Sequence, residues 1–199
     1  MSNEAHTVIG PAKTRAARVL WMLEELGLPY THHNAPPRSQ EVMALNPSGK
    51  VPVLIVGDTA ITDSTAINQY LADKHGKLTH KAGTLERARQ DSLTQFLLDE
   101  FDSVLWVAAR HSFILPEELR HSAIKDSLKW EFERSQKVLV QRMGRAPFAT
   151  GEDFLVTNIL LGHCLVWATS ANFPVTEPRL IDYLEQTTAR PGFQRAMAK

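Results

Sequence analysis

Asp63-Ser64 stands where a β-prone run, Thr59–Thr62, gives way to a helical pattern. The first N–H groups of a helix lack intrahelical acceptors and sit at the positive end of its dipole. With the Ser64 hydroxyl they can hold a carboxylate, and the Asp63 carboxylate can meet an ammonium. Plain N-capping is the other use of the same atoms. Thr14 opens another helical pattern and is the sole hydroxyl in Pro11-Ala12-Lys13-Thr14, which holds no Ser, Cys or Tyr. It can donate one hydrogen bond to an anion, or cap the helix. Lys13 and Arg15 beside it are cations of the kind that usually face solvent. The lone cysteine, Cys164, lies in the apolar stretch 159–168 and can form neither an intrachain disulfide nor a CxxC pair. It reads as a small buried hydrophobe. The eight histidines form no HExxH and no cluster at ligand spacing, so no metal is expected.

The elements that must position these groups follow from periodicity. His6–Ile9 is β-prone and Gly10-Pro11 breaks it. Ala17, Val19, Leu20, Met22, Leu23 and Leu26 then recur at three- and four-residue spacing, an amphipathic helix over 14–26 that Gly27 ends. Residues 30–34 read as a second strand, which predicts a parallel pair with a crossover helix. One or two helical turns follow over 39–45. Val53–Val56 and Thr59–Thr62 flank Gly57-Asp58, a two-residue hairpin turn of type II′. Pro52 sits at the start of the first of these strands, where a missing N–H does least harm. Ala66, Ile67, Tyr70 and Leu71 mark the helix after Asp63-Ser64, ending near His75-Gly76.

Beyond Gly76 no strand signal recurs. Residues 77–83 read as a linker. A long helical pattern opens at Thr84-x-x-Arg87 and runs to Ala108. A second, with Pro116 at its first position and Glu117-Glu118 in its first turn, runs to Met143. A third, 154–168, is apolar on nearly every face and reads as the centre of the second domain. Residues 179–187 and 194–198 form short terminal helices. The expected organisation is an α/β domain over 1–76 and an all-α domain over 84–199.

Composition is that of an ordinary globular chain: 199 residues, 43% hydrophobic and 22% charged. Lys plus Arg equals Asp plus Glu at 22 each, giving zero formal net charge. That is no electrostatic footprint for nucleic acid, and no polybasic run suits a membrane surface. Neither a signal pattern nor an apolar run long enough to span a bilayer is present, so a cytoplasmic location is expected.

Four stretches in fixed order carry a resemblance: RVLWMLEELGLPY (18–30), ALNPSGKVPVL (44–54), ITDSTAINQYLAD (61–73) and ARPGFQRA (189–196). With the order of elements they resemble the cytosolic glutathione S-transferases, the bacterial branch more than the mammalian tyrosine classes. The resemblance covers nearly the whole chain. It implies a thioredoxin-like N-terminal domain (βαβ-α-ββα) and a C-terminal helical bundle, joined in a two-fold homodimer. Glutathione is the implied co-substrate. The start of the Asp63-Ser64 helix would hold the γ-glutamyl group. A cis Val51-Pro52 bond would turn the Val51 backbone outward to pair with the cysteinyl residue like an added strand; without the family, trans is the expectation. Lys50 and Arg38 lie toward the glycyl end, where related enzymes place cations.

Thr14 occupies the segment in which the serine and cysteine classes carry their activating side chain. There it either supports the thiolate, helped by the helix dipole, or merely caps. With no Cys at this helix start, mixed-disulfide chemistry loses its nucleophile, whereas conjugation and peroxide reduction by bound glutathione remain. The resemblance implies an electrophile pocket between the domains, with Trp106 and Arg110 on the first long helix; Trp106 as plain core is the alternative. Aligned on Phe154, Leu155 and Asn158 replace the family's usual capping box, which predicts a less securely capped helix with Asp153 or Thr157 as substitutes. Two functions stand: a detoxifying glutathione transferase, or a glutathione-binding or protein-interaction module without turnover.

Overall fold

The computed structural model describes residues 5–199. They form two compact units, one running to Ala82 and completed by Thr188–Lys199, the other Gly83–Thr187. In the first unit, β1 (His6–Ile9), α1 (Ala16–Leu26), β2 (Tyr30–His33), α2 (Gln40–Leu45), β3 (Val53–Val56), β4 (Thr59–Thr62) and α3 (Ser64–His75) follow one another. The sheet order is β2-β1-β3-β4, with β1 parallel to β2 and antiparallel to β3, and β3 antiparallel to β4. This is the thioredoxin-like arrangement. Side chains alternate across the pleat. Val8 and its partner Leu54 therefore point to one face, and the next pair, Ile9 and Val53, to the other, where they pack with Ala35 and with Val42 of α2.

α1 begins at Ala16, two residues later than the spacing predicts, and ends on Gly27 in the left-handed region. The buried face of α3 is Ser64, Ile67, Asn68, Leu71 and Ala72. Ala66 is exposed and Tyr70 half-buried. The face is thus set by two polar residues that the apolar pattern passes over.

The last helix, α9 (Pro191–Met197), packs on α1, with the Trp21 ring edge-on to Phe193 at 5.0 Å. Arg190 grips Glu25 through two hydrogen bonds of 2.8 and 2.7 Å, and Trp21 Nε1 donates to the same carboxylate at 2.9 Å. Arg195 donates to the Glu24 carboxylate at 2.6 Å, and the Tyr30 hydroxyl donates to its other oxygen at 2.8 Å. Burial pushes both carboxyls up, but these donors and the arginine charges outweigh it and hold both below the usual carboxylate range. Tyr30 is pushed up by burial and by its bond to Glu24. Two of the family-like stretches, EELG and ARPG, are therefore partners in space. A Cβ at Gly192 would lie 2.8 Å from Glu25 Oε1, so glycine is what lets them meet.

The second unit holds α4 (Leu85–Leu97), α5 (Ser103–Ala109), α6 (Ile124–Met143), α7 (Val156–Ser170) and α8 (Pro178–Thr188). Thr84 caps α4, accepting from Arg87 N–H at 3.2 Å, as its sequence signature implies. The first long helical pattern is real but interrupted by π-helical turns at Leu98–Asp102 and Arg110–Ile114. The second differs from expectation. Pro116 opens only a three-residue 3₁₀ turn, Glu117–Leu119; Arg120 is then extended, its guanidinium bonded to the Leu115 carbonyl, and α6 starts at Ile124. Local N-terminal chemistry was satisfied by one turn. α7 is buried along nearly its whole length, Cys164 included. Phe101, Phe132 and Phe173 stack edge-to-face at 5.0 and 5.7 Å around it.

Leu155 precedes α7 without any side-chain cap, and neither expected substitute appears: Thr157 Oγ1 is buried with no hydrogen bond among the described residues. Asn158 instead organises the preceding loop. Its Oδ1 accepts from Ala149 N–H at 2.9 Å and from the Tyr183 hydroxyl at 2.7 Å, and its Nδ2 donates to the Asp153 carbonyl at 3.4 Å.

Candidate functional site

The sheet register brings the expected residues of the first unit to one edge. β3 pairs with β4 as Val53 with Thr62, the last pair of the ladder; Val51-Pro52 immediately precede β3 and Asp63-Ser64 immediately follow β4, so both leave the ladder at the same end. On the other side Ile9 pairs with Val53, which sets Gly10 beside Pro52 and Val51. The close approach is tight: a Cβ on Gly10 would lie 2.7 Å from Val51 Cβ. The Val51–Pro52 peptide bond is cis. Among the described residues, nothing hydrogen-bonds the Val51 backbone N–H or C=O.

Asp63 is exposed and adopts φ 71° with ψ 119°, a conformation that side-chain-bearing residues rarely take and that concentrates at functional sites. Its Oδ1 accepts from Thr65 N–H at 2.9 Å and Ala66 N–H at 3.0 Å. Capping is therefore realised by Asp63 alone. Ser64 is left with its backbone N–H and its hydroxyl proton unspent among the described residues, although it is only 2% exposed. Its Oγ accepts from Arg18 Nη1 at 3.3 Å. Both capping and anion donation thus fit in one helix start, on different atoms.

Arg38 and Lys50 are both exposed and flank Gly49. Arg38 N–H donates to the Gly49 carbonyl at 2.8 Å with φ 65°, and its Cγ and Cα come within 3.0 and 3.3 Å of a Cβ built on Gly49. The Lys50 backbone is tied by Asn46, whose Nδ2 donates to its carbonyl at 2.9 Å. Two cations thus flank Gly49, and Lys50 adjoins Val51 in the chain.

Thr14 lies before α1. Its hydroxyl donates to the Pro11 carbonyl at 2.7 Å and accepts from Ala16 N–H at 3.2 Å. A hydroxyl has one proton, so in this arrangement its donor is directed at the loop. Gly10 is held in the same loop by His32, whose Nε2–H donates to its carbonyl at 2.8 Å.

Trp106 and Arg110 belong to the second unit. They are four residues apart, on α5 and at the head of the following π-helical turn, and so share one helix face. Both are half-buried, and Arg110 Nε is buried without a hydrogen bond among the described residues. No group of three or more His, Cys, Asp or Glu able to hold a metal occurs among the described residues, and no helix is long and apolar enough to cross a membrane.

The sequence reading did not single out Arg18, Asn68 and Gly10 as site residues. Arg18 precedes Trp21 and Met22 by three and four residues, and Asn68 follows Ser64 by four. Polar residues in phase with a buried stripe were the available signal.

A family model for the glutathione S-transferase N-terminal domain matches residues 14–74. Glutathione S-transferase 3 of Zea mays is 25% identical over 206 aligned positions, covering 94% of this chain and 90% of that one. A glutathione transferase from Methylococcus capsulatus superposes with a TM-score of 0.83 at 24% identity, covering 97% of each chain. A theta class glutathione S-transferase from Xanthomonas axonopodis pv. citri, solved with glutathione bound, gives 0.77 at 24% identity over 98% of each chain. At these identities the superpositions establish the fold.

Proposed function

We propose that this chain, which belongs to the glutathione S-transferase family, is a transferase that binds glutathione along the edge formed by Val51-Pro52 and Asp63-Ser64. The observation that carries the reading is the coincidence of unspent groups there. The Val51 N–H and C=O and the Ser64 N–H and O–H stand just beyond the same end of the β3–β4 ladder, before β3 and after β4. Together they suit an extended peptide ending in a carboxylate. The second Asp63 oxygen suits the γ-glutamyl ammonium. Lys50 and Arg38 suit the glycyl carboxylate.

The ligand's sulfur is then oriented toward the start of α1, where the positive end of the helix dipole favours thiolate over thiol. Catalysis is positioning plus thiolate stabilisation. In conjugation the thiolate forms a C–S bond to a small hydrophobic electrophile as its leaving group departs. In peroxide reduction the O–O bond breaks, and a second glutathione completes the disulfide as the peroxide yields alcohol and water. For Thr14 to assist, its hydroxyl must turn from the Pro11 carbonyl to the sulfur. Trp106 and Arg110 are proposed for the electrophile. A cytoplasmic detoxifying homodimer is the assembly that the family pattern supports, and sedimentation tests it.

Retention on immobilised glutathione with turnover of a chloronitrobenzene electrophile is the expected result. Retention without turnover supports the alternative, a binding or protein-interaction module. Failure of both removes the reading. Thr14→Val with unchanged kcat removes Thr14 from the chemistry; a fall of about tenfold, the worth of one hydrogen bond, supports it.

A further inference from the structure

We propose that Arg18 is a positioning residue for the ligand's γ-glutamyl carboxylate, acting through Ser64; this rests on the glutathione reading above. Arg18 is 1% exposed on α1, and its Nη1 stands 3.3 Å from Ser64 Oγ. A guanidinium has only donors, so Oγ is the acceptor in this pair. That fixes the role of the serine. One lone pair faces Arg18, and the O–H proton must go to some other acceptor. Among the described residues none takes it. A buried cation beside Oγ also makes that O–H a better donor, because charge acts strongly where water is excluded.

At 3.3 Å the contact is long for N–H···O, so it sets direction more than strength. Direction is reinforced by a second bond running the other way. Asn68 Nδ2, one turn along α3, donates to the Arg18 backbone carbonyl at 3.1 Å. α1 and α3 are thus clasped at two points in opposite senses. The helix whose start would face the sulfur and the helix whose start would hold the carboxylate are kept in register by Arg18 of the one and by Ser64 and Asn68 of the other. Arg18 touches no ligand atom in this scheme; it orients the group that does.

The test uses two peptides and a double-mutant cycle by calorimetry on the full chain. The probes are glutathione and γ-aminobutyryl-cysteinylglycine, which lacks the α-carboxylate. Arg18→Met is expected to weaken glutathione binding about tenfold, the worth of one oriented hydrogen bond. It is expected to leave the decarboxylated peptide's affinity unchanged. In a Ser64→Ala background the Arg18 substitution is expected to cost nothing further. Equal losses for the two peptides, or additive losses in the cycle, overturn the proposal, since a merely structural arginine affects both ligands alike. If Arg18→Met does not fold, Arg18→Lys carries the same comparison, with selective loss supporting and equal loss overturning it. Wild-type protein that gives no heat with glutathione overturns the reading beneath; wild type that binds with an additive cycle overturns the Arg18 assignment alone.

Discussion

Replacing Gly10 with alanine tests whether the edge between β1 and β3 must stay as close as it is. Gly10 has φ +132°, where only glycine is comfortable. Forcing an L side chain there costs about 1–3 kcal/mol. The new Cβ would lie 2.7 Å from Val51 Cβ, 3.1 Å from Val51 Cγ2 and 3.2 Å from Ala16 Cβ. Carbon atoms at rest sit near ~3.5–4.0 Å. Two of the three contacts are with one residue, Val51, so relief depends on moving it. Overpacking of this kind costs a further ~1–3 kcal/mol. The sum, about 2–6 kcal/mol, is to be read by native-state hydrogen exchange at β1 and β3 amides. Because Val51 must yield, glutathione affinity is expected to fall as well under the proposed binding mode.

The double variant Gly10→Ala/Val51→Gly removes both Val51 contacts and leaves the φ cost. It is expected to recover about 1–3 kcal/mol beyond additivity. Gly10→Ala losing less than ~1 kcal/mol with wild-type glutathione binding, or a double variant with no recovery, refutes the reasoning.

Glu25→Gln leaves Arg190 with one neutral acceptor in a pair whose side chains are 10% and 29% exposed. A loss of about 2 kcal/mol, between surface and buried pairs, is expected by urea titration. Acid acts on the same joint. Both carboxyls have depressed folded values, so their stabilisation is present above the unfolded value near ~4.3 and is lost as pH falls through the lower folded values. Exchange protection of α9 is expected to drop below about pH 4 while α7 keeps its own, and protection unchanged at pH 3 contradicts this. Asn158→Ala removes the acceptor shared by the Ala149 N–H and the Tyr183 hydroxyl in a buried site, and about 2 kcal/mol should be lost in the second unit's melt.

Legibility tracked how local the cause was. The β3–β4 hairpin is visible because Gly57-Asp58 and the flanking alternation are both local, and the ladder that brings the ends next to Pro52 and Asp63 together then follows. Thr84 as a cap is equally local. Pro116-Glu117-Glu118 misled because helix-start chemistry serves a single turn as well as a long helix; Arg120 bonded to the Leu115 carbonyl is a later event that periodicity does not see. Arg18 and Asn68 were passed over because polar residues on a buried face look like pattern breaks until their partners are known. Glu25 and Arg190, separated by 165 positions, could be paired only in three dimensions.

That last pairing makes the first unit discontinuous along the chain: its sheet is written first and its closing helix last. During synthesis, α1 must wait for the intervening helices to leave the ribosome before Phe193 covers Trp21 and Arg190 reaches Glu25. Until then the nascent first unit presents an uncovered tryptophan and two acidic side chains that await their cations.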